Sequence, residues 1–566
     1  MLKTTGGGAV VAALEAEDVR HVFGLIGSAG MEIFDALHGH RAIRFIGVRD
    51  ERTGTHMADG YARASGHAGV FLAGQNGPGA TNTTTGLAQA HAAYSPVVVL
   101  AGSLSSAHVN RDAFQEVDQT SLFKPITKRC MTLTQAARIP ETVREAFRTA
   151  LAPRRGPVVV NLPRDLLAET REFDIAGQPG ERAAPALPAG AGEVIRDAAR
   201  LLAGSERPLI IAGGGVKNGR AHAATLRLAE MLRAPVATSP GHGDAIPCTH
   251  PLYAGQVGPR GNAVASGLAR NADVILALGT RLGFNTTFYS YDHLNRAAKI
   301  VQVEIEPTAI GRFFRVDVGI HGDAGTVASQ LADALAGQTS NRSSWEDEFR
   351  ANRKAMLAQR EGAAAQSTVP VQPGALFAAL RRAAPQDAMF TLDAGTLCLQ
   401  ATDQLPYAVP PALFTPLDFG LVGFSYACGL GVKLACPERP VISLMGDGGF
   451  GMTMSEIGTA VSHGINTVCV VMNNGCWGAE KAYQRDFFGG RYIGADVPNP
   501  PYDKIAQLFG AVGLRVDKPG EAEDAIREAL ACGKPAIVDV MIDPDALYSF
   551  RRDSFQHRAT PAAPSA

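Results

Sequence analysis

The stretch PVISLMGDGGFG, Pro440–Gly451, places an apolar run directly before a turn rich in glycine. This order predicts a buried strand, a tight turn and the start of a helix. The spacing of Gly446, Gly448 and Gly451 matches the glycine fingerprint of dinucleotide-binding domains. That fingerprint also requires an acidic residue about 20 residues further on, where it holds a ribose. Residues 462–475 contain no Asp or Glu, so the dinucleotide interpretation fails.

The next predicted strand, TVCVVMNN, ends in Asn474. The carboxyl ends of neighbouring parallel strands meet at one edge of a sheet, so Asp447 of the glycine turn and Asn474 are expected to lie close together. A carboxylate, an amide oxygen and a backbone carbonyl are hard ligands that suit Mg²⁺ bridging diphosphate oxygens. The backbone amides of Gly446, Gly448 and Gly449 could cradle that diphosphate. The same residues also fit a plain glycine turn followed by a capping asparagine.

Short apolar runs alternate with helical patterns along the chain, which predicts an α/β fold of parallel sheets covered by helices. A chain of 566 residues is too long for one hydrophobic core. We predict three doubly wound domains, at residues 1–180, 193–340 and 370–550, and a disordered tail at residues 556–566.

The composition argues against several classes of partner. Lys and Arg number 53 against 54 Asp and Glu, so no basic excess favours nucleic acid. No apolar run reaches the ~18 residues of a transmembrane helix, so we expect no membrane span. The eight cysteines form no CxxC motif and no zinc spacing, which is typical of reduced thiols in a cytoplasmic protein.

Four further motifs accompany the glycine turn: RDERTG (Arg49–Gly54), GPGATN (Gly77–Asn82), AFQEVDQ (Ala113–Gln119) and LVGF (Leu421–Phe424). Together with GDGGFG and the strand-end asparagines, they resemble the thiamine-diphosphate-dependent enzymes of the acetolactate synthase-like group. The resemblance covers essentially the whole chain. It implies a pyrimidine-binding domain, a central domain and a diphosphate-binding domain, in that order, with thiamine diphosphate and Mg²⁺ as cofactors.

The resemblance also implies roles for individual residues. Asp447, Asn474 and the backbone carbonyl of Cys476 would bind the metal. Glu51 would hydrogen-bond the aminopyrimidine ring of the cofactor and favour its imino tautomer, and Gln115 would face the reaction centre. A glutamate after a strand is, on its own, more simply explained as a charge at a helix N-terminus.

A second group of residues would contact the cofactor directly. Besides the glycines of the GDGG turn, they are Gly77, Pro78, Asn82, Gly395, Thr396 and Val422. Gly77 opens a turn that brings the backbone close to a cofactor ring. Val422 would hold the two rings in a V shape, although valine is smaller than the residue expected there. Since Glu51 would act on a cofactor anchored by a second subunit, we expect a homodimer or a homotetramer.

Within this group, six stretches resemble the sulfoacetaldehyde acetyltransferases: FGLIGSAGM (Phe23–Met31), AGQNGPG (Ala73–Gly79), FQEVDQTSLFK (Phe114–Lys124), LGTRL (Leu278–Leu282), CWGAEKAYQRDFF (Cys476–Phe488) and SFRRDSF (Ser549–Phe555). That resemblance implies conversion of sulfoacetaldehyde and inorganic phosphate to acetyl phosphate and sulfite. Asp50 departs from it, because these proteins more often have histidine before the glutamate.

The alternative is an acetolactate synthase or a related carboligase that acts on pyruvate or another 2-oxo acid. The substrate is a small aldehyde or 2-oxo acid in either case. A catalytically silent relative would lack Glu51, which this chain has. Lys124, Arg281, Lys481 and Arg485 are candidates for binding the substrate anion, although each is more simply explained as a solvated surface charge.

Overall fold

The computed structural model describes residues 1–175, 186–338, 342–365, 368–550 and 555. The predicted disordered tail at residues 556–566 lies outside the described residues. Three six-stranded sheets occur in three successive segments of the chain, and every pairing within them is parallel. The predicted α/β fold with three doubly wound sheets is therefore confirmed.

The strands alternate with helices throughout. The strands are β1 Leu2–Thr5, β2 His21–Leu25, β3 Arg44–Gly47, β4 Gly69–Ala73, β5 Val97–Ser103, β6 Arg129–Thr132, β7 Val158–Pro163, β8 Thr170–Phe173, β9 Pro208–Ala212, β10 Val236–Thr238, β11 Tyr253–Gln256, β12 Val274–Leu278, β13 Lys299–Glu304, β14 Val318–His321, β15 Met389–Leu392, β16 Leu413–Phe414, β17 Val441–Gly446, β18 Val468–Asn473, β19 Val512–Val516 and β20 Ala536–Met541.

The helices are α1 Gly6–Ala16, α2 Met31–Leu37, α3 Glu51–Ser65, α4 Pro78–Asn82, α5 Thr84–Ala92, α6 Gln119–Phe123, α7 Ile139–Leu151, α8 Arg164–Ala168, α9 Gly192–Ala203, α10 Gly214–Asn218, α11 His222–Leu232, α12 Ala263–Asn271, α13 Phe284–Thr287, α14 Ala324–Ala334, α15 Ser343–Ala364, α16 Pro373–Ala383, α17 Thr396–Ala401, α18 Ser425–Ala435, α19 Asp447–Gly451, α20 Glu456–His463, α21 Gly478–Phe487, α22 Tyr502–Leu508 and α23 Ala522–Ala531. Among the described residues, no helix is long and apolar enough to cross a membrane.

The first and third sheets share one topology. Their strand orders are β3-β2-β4-β5-β7-β6 and β16-β15-β17-β18-β20-β19, which place equivalent strands in equivalent positions. In both sheets the first two strands run in order towards one edge, and the following strands are added on the other side of the first strand. Such a reversal opens a crevice at the carboxyl ends of the strands, where α/β proteins bind ligands. The sheet of the central segment has the order β11-β10-β9-β12-β13-β14.

The central strands are buried on both faces, which explains their continuous apolar sequences. In β5 the residues Val97 to Leu100 have no exposed surface, and in β7 Val158 to Val160 have none. A short antiparallel pair of β1 and β8 accompanies the first sheet. Residues 424–438 and 453–467, which contain α18 and α20, belong to the same compact unit as this first sheet.

Helices α3 and α18 approach each other at glycines. A Cβ on Gly431 would lie 1.9 Å from the backbone oxygen of Met57, and a Cβ on Gly60 would lie 2.3 Å from the backbone oxygen of Cys428. Real side-chain carbons do not come this close to backbone atoms. Only glycine therefore allows the two helices to pack at this distance, and α3 begins with Glu51.

We expect Gly431→Ala to destabilise the unit that contains the first sheet by about 1–3 kcal/mol, the usual cost of overpacking a core. Gly267→Ala is the matched control, because Gly267 is also helical but has no described atom within 4 Å of its Cβ position. Differential scanning calorimetry should show a lower unfolding temperature for the first variant, and an unchanged or higher one for the second. Equal unfolding temperatures would contradict the role given to Gly431.

Candidate active site

Asp447 follows β17 as the first residue of α19 and is almost completely buried. Its Oδ2 accepts a hydrogen bond of 2.5 Å from the side-chain amide of Asn499. The Tyr502 hydroxyl lies 3.0 Å from the backbone oxygen of Asp447 and 2.8 Å from the side-chain oxygen of Asn499, and these two acceptors share its one proton. Asn499 and Tyr502 therefore fix the orientation of the carboxylate.

Asn474 follows β18 and points at the same place. One terminal atom of its side-chain amide lies 3.1 Å from Oδ1 of Asp447 and 3.1 Å from the backbone oxygen of Cys476. As a nitrogen, this atom would donate to both oxygens. As an oxygen, it would complete a set of three oxygens that repel one another unless a cation lies between them.

The donor set fits Mg²⁺. Octahedral coordination at about 2.1 Å from the metal separates neighbouring oxygen ligands by about 3 Å, which agrees with the separations found around Asn474. Burial raises the pKa of the Cys476 thiol to about 11, so at neutral pH this residue offers its carbonyl oxygen rather than a thiolate. Asp447, Asn474 and the carbonyl of Cys476 are thus the residues that could hold the metal.

The Asp447 carboxyl is destabilised in its charged form. Burial raises its pKa to about 6, and the hydrogen bond from Asn499 offsets only part of that effect. A divalent cation among the three oxygens would favour the carboxylate and reverse this shift. The charge at this position is therefore expected to depend on the metal.

The glycines of the GDGG turn have different neighbours. A Cβ on Gly448 would lie 2.7 Å from the Trp477 ring, and one on Gly449 would lie 2.3 Å from Oδ2 of Asp393. These two positions require glycine because the structure itself fills the space. Around Gly446, in contrast, no described atom lies within 4 Å of the Cβ position. Gly446 therefore faces open space.

The strand-end residues of β15 lie at the same edge of the third sheet. Gly395 has a φ of +121° and, among the described residues, no atom within 4 Å of its Cβ position. Thr396 begins α17, and both its Oγ1 and the Asn474 amide lie within 3.5 Å of the Cβ position of Gly478. Val422 is half-buried and precedes Gly423, whose N–H donates to Oδ2 of Asp393 at 2.9 Å.

Glu51 is buried at the start of α3, directly after β3. Its Oε2 accepts a hydrogen bond of 3.0 Å from the side-chain amide of Asn82, at the end of α4. Its Oε1 lies 3.2 Å from the Cβ position of Gly79. The absence of a side chain at Gly79 therefore leaves space beside this carboxylate oxygen.

Glu456 supports the loop that carries Glu51. This fully buried side chain accepts hydrogen bonds from the Arg49 N–H at 3.0 Å and the Thr53 hydroxyl at 2.5 Å, on either side of Glu51. A third comes from the Thr459 hydroxyl at 2.6 Å. Burial raises the pKa of Glu456. No motif in the sequence marks Glu456, which reaches the loop from α20.

The turn at Gly77 and Pro78 meets the loop of Gln115. Gly77 has a φ of +59°, and a Cβ on it would lie 2.4 Å from the backbone oxygen of Gln115. That oxygen also accepts a hydrogen bond of 3.1 Å from the Asn76 side chain. Gln115 itself has a φ of +62°, an unusual conformation for a residue with a side chain. Pro78 begins α4, where its missing N–H is not needed.

Three polar side chains form a hydrogen-bonded group, the amide relay, which consists of Ser28, Gln75 and Gln115. The backbone N–H and the hydroxyl of Ser28 donate to Oε1 of Gln75 at 2.8 and 3.1 Å. Nε2 of Gln75 donates to Oε1 of Gln115. The three residues follow β2, β4 and β5, so the relay lies at the carboxyl ends of these strands. Gln75 lies within the AGQNGPG stretch, but no role for it could be predicted from the sequence.

Two of the candidates for binding the substrate anion form ion pairs with acidic neighbours. Lys481 forms an ion pair of 2.7 Å with Asp496, and Arg485 forms one of 2.7 Å with Asp486. Both lie on α21, as their spacing predicts. Either would have to leave its partner to bind a substrate anion, which weakens the case for both.

Three models of thiamine pyrophosphate enzymes match the chain. The N-terminal TPP binding domain matches residues 4–122, the central domain matches residues 195–331, and the C-terminal TPP binding domain matches residues 393–540. Glu51 and its neighbours lie in the first of these matches, and Asp447 and its neighbours lie in the third.

Curated relatives match over nearly the full length. A sulfoacetaldehyde acetyltransferase of Alcaligenes xylosoxydans xylosoxydans is 34% identical, over 98% of this chain and 95% of that protein. A probable acetolactate synthase large subunit of Methanocaldococcus jannaschii is 34% identical, over 95% of this chain and 92% of its own length. The acetolactate synthase isozyme 3 large subunit of Escherichia coli is 32% identical, over 95% of both chains. The chain therefore belongs to the thiamine pyrophosphate enzyme family, as a relative of both sulfoacetaldehyde acetyltransferases and acetolactate synthases.

Proposed function

We propose that the chain binds thiamine diphosphate through Mg²⁺ held by Asp447, Asn474 and the carbonyl of Cys476. We further propose that it converts sulfoacetaldehyde and inorganic phosphate to acetyl phosphate and sulfite. We propose that the smallest active assembly is a homodimer, in which Glu51 of one subunit acts on the cofactor bound by the other subunit.

The amide relay is the observation that carries the choice of substrate. Three of the stretches that resemble sulfoacetaldehyde acetyltransferases, at residues 23–31, 73–79 and 114–124, contribute Ser28, Gln75 and Gln115 to it. These stretches are far apart in the chain, yet their polar side chains bond to one another at the sheet edge that also carries Glu51. Their joint presence there supports a shared role in substrate recognition.

Thiamine diphosphate, when bound, supplies a carbon nucleophile and an electron sink. The residues of this chain supply orientation and proton transfer. Asn82 holds Oε2 of Glu51, and Oε1 borders the space beside Gly79. Glu51 can therefore hold or accept a proton at Oε1 without rotating. Asp447 and Asn474 would hold the metal that anchors the charged end of the cofactor.

An acetolactate synthase or another carboligase is the second candidate. It is supported by the acetolactate synthase large subunits among the relatives, one of which is as similar to this chain as the sulfoacetaldehyde acetyltransferase is. Such an enzyme would join a group derived from pyruvate or another 2-oxo acid to a second carbonyl compound.

A product assay separates the two candidates. We expect the purified protein, supplied with thiamine diphosphate and Mg²⁺, to form acetyl phosphate from sulfoacetaldehyde only when phosphate is present, with release of one sulfite for each acetyl phosphate. Acetolactate formed from pyruvate, without acetyl phosphate from sulfoacetaldehyde, would contradict the proposal and favour the carboligase.

We expect Glu51→Gln to lower kcat by about 10²–10⁴-fold, the usual contribution of a positioned acid or base. The affinity for thiamine diphosphate, measured by calorimetric titration with Mg²⁺ present, should change little. Glu346→Gln is the matched control, because Glu346 is equally buried but forms ion pairs with Arg233 and Arg350 in the central segment. Full activity in Glu51→Gln would refute its role.

Binding of Mg²⁺ with thiamine diphosphate should weaken as the pH falls through about 6. The metal-free Asp447 carboxyl has a pKa of about 6, so below this pH a proton must leave before the metal can bind. Loss of one proton predicts a decrease in affinity of about tenfold per pH unit below pH 6. Titration calorimetry between pH 5 and 8 measures this, and constant affinity would exclude Asp447 as a ligand.

The Asn499→Ala variant should shift that pH dependence upwards. The hydrogen bond from Asn499 lowers the pKa of Asp447, so its removal raises that pKa. Protons then compete with the metal for the Asp447 carboxylate at a higher pH. The same titrations should therefore give a midpoint above that of the wild type. A midpoint at the same or a lower pH would show that Asn499 does not control the charge of Asp447.

A further inference from the structure

The direction of the hydrogen bonds in the amide relay is fixed at one end. A backbone N–H can only donate, so the Gln75 atom that contacts the N–H of Ser28 must be the acceptor Oε1. The other end of the Gln75 amide is then Nε2, which can only donate. The Gln115 atom that it contacts must in turn be Oε1. The relay therefore leaves Nε2 of Gln115 as the end that a ligand can meet.

The backbone of Gln115, like its side chain, is fixed by contacts with neighbouring residues. Its carbonyl accepts from the Asn76 amide and packs against Gly77, and its φ is +62°. The carboxylate of the next residue, Glu116, accepts bonds from the N–H groups of Asn110 at 2.5 Å and Ala113 at 2.9 Å. The loop is thus closed on itself, and the hydrogen bond from Gln75 adds a constraint on the orientation of the Gln115 side-chain amide.

The relay also lies beside Glu51. The Gln75 Cβ and the Glu51 Oε1 are each 3.2 Å from the Cβ position of Gly79. Glu51 would hydrogen-bond the aminopyrimidine ring of the cofactor. A substrate that reacts close to that ring would therefore lie next to the Gln115 loop. Negative charge develops on a carbonyl oxygen when its carbon is attacked, and a fixed N–H donor stabilises that charge.

We propose that Gln75 is a positioning residue that turns the N–H of Gln115 towards the carbonyl oxygen of the substrate. This inference rests on the proposed function, in which an aldehyde reacts beside Glu51. The N–H of Ser28 fixes the orientation of the Gln75 amide, and the Gln75 amide fixes that of the Gln115 amide. Nε2 of Gln115 then contacts the substrate oxygen. The enzyme thereby presents a donor, and not an acceptor, to the oxygen that gains charge.

The Gln75→Glu variant tests the direction of the bonds. The introduced carboxylate, when ionised, still accepts from Ser28 but cannot donate, so Gln115 should rotate, donate Nε2 to that carboxylate and present its oxygen to the substrate. We expect kcat with sulfoacetaldehyde to fall by about 10²–10³-fold, as for the loss of one oxyanion donor. The affinity for thiamine diphosphate and the unfolding temperature should not change. The exposed Gln135→Glu variant is the control for the added charge.

The pH dependence of Gln75→Glu separates positioning from a structural effect. The introduced carboxyl group, once protonated, can donate to Gln115 again, so the ratio of the variant's kcat to that of the wild type should rise as the pH falls towards 5. The ratio removes effects of pH that both proteins share. The uncharged Gln75→Met variant should also lose activity, but its ratio should stay constant with pH.

A double variant tests whether Gln75 acts through Gln115. In a Gln115→Met background, Gln75→Glu should cause no further loss of kcat. Wild-type activity in Gln75→Glu, or an undiminished loss in the double variant, would overturn the inference. If the wild type makes acetolactate from pyruvate instead of acetyl phosphate, the proposed substrate is wrong, and the same variants assayed with pyruvate still decide the role of Gln75.

Discussion

The close approach of Asp447, the Asn474 side-chain amide and the Cys476 carbonyl at the ends of β17 and β18 is the constraint on which the proposed metal site depends. Asp447, Asn474 and the Cys476 carbonyl come from two neighbouring parallel strands. Burial away from water disfavours the charged form of the Asp447 carboxyl group, which is why its pKa is raised. The surrounding structure maintains this unfavourable arrangement through Asn499 and Tyr502. We therefore propose that this arrangement is preorganised for a cation.

One topology carries two different sets of turn residues in this chain. The turn after β4 carries Gly77 and Pro78, and the turn after the equivalent strand β17 carries Asp447. The loop after β5 holds Gln115, and the loop after the equivalent β18 holds Asn474. The shared strand order fixes where functional groups can lie, and the residues in the turns decide whether a site suits a metal and phosphate or an amide network.

The interior strands and the metal-site motif could be predicted from the sequence, because buried parallel strands have continuous apolar sequences. Five of the six edge strands, β6, β11, β14, β16 and β19, lack so clear a pattern. Asn499 and Glu456 were also missed. Asn499 is 52 residues from Asp447, and Glu456 reaches the Glu51 loop from a segment about 400 residues later. Such contacts depend on tertiary packing and leave no local signal. The domain boundaries and the roles of the site residues remain proposals.

The position of Glu456 has a consequence for protein synthesis. The loop around Glu51 is held by a side chain of α20, and the unit of the first sheet includes residues 453–467. A ribosome that adds about 5–20 residues per second makes the first sheet tens of seconds before it makes α20. The contacts of the first sheet with α18 and α20 can therefore form only late in translation. Premature termination before α20 would leave Glu51 without this support.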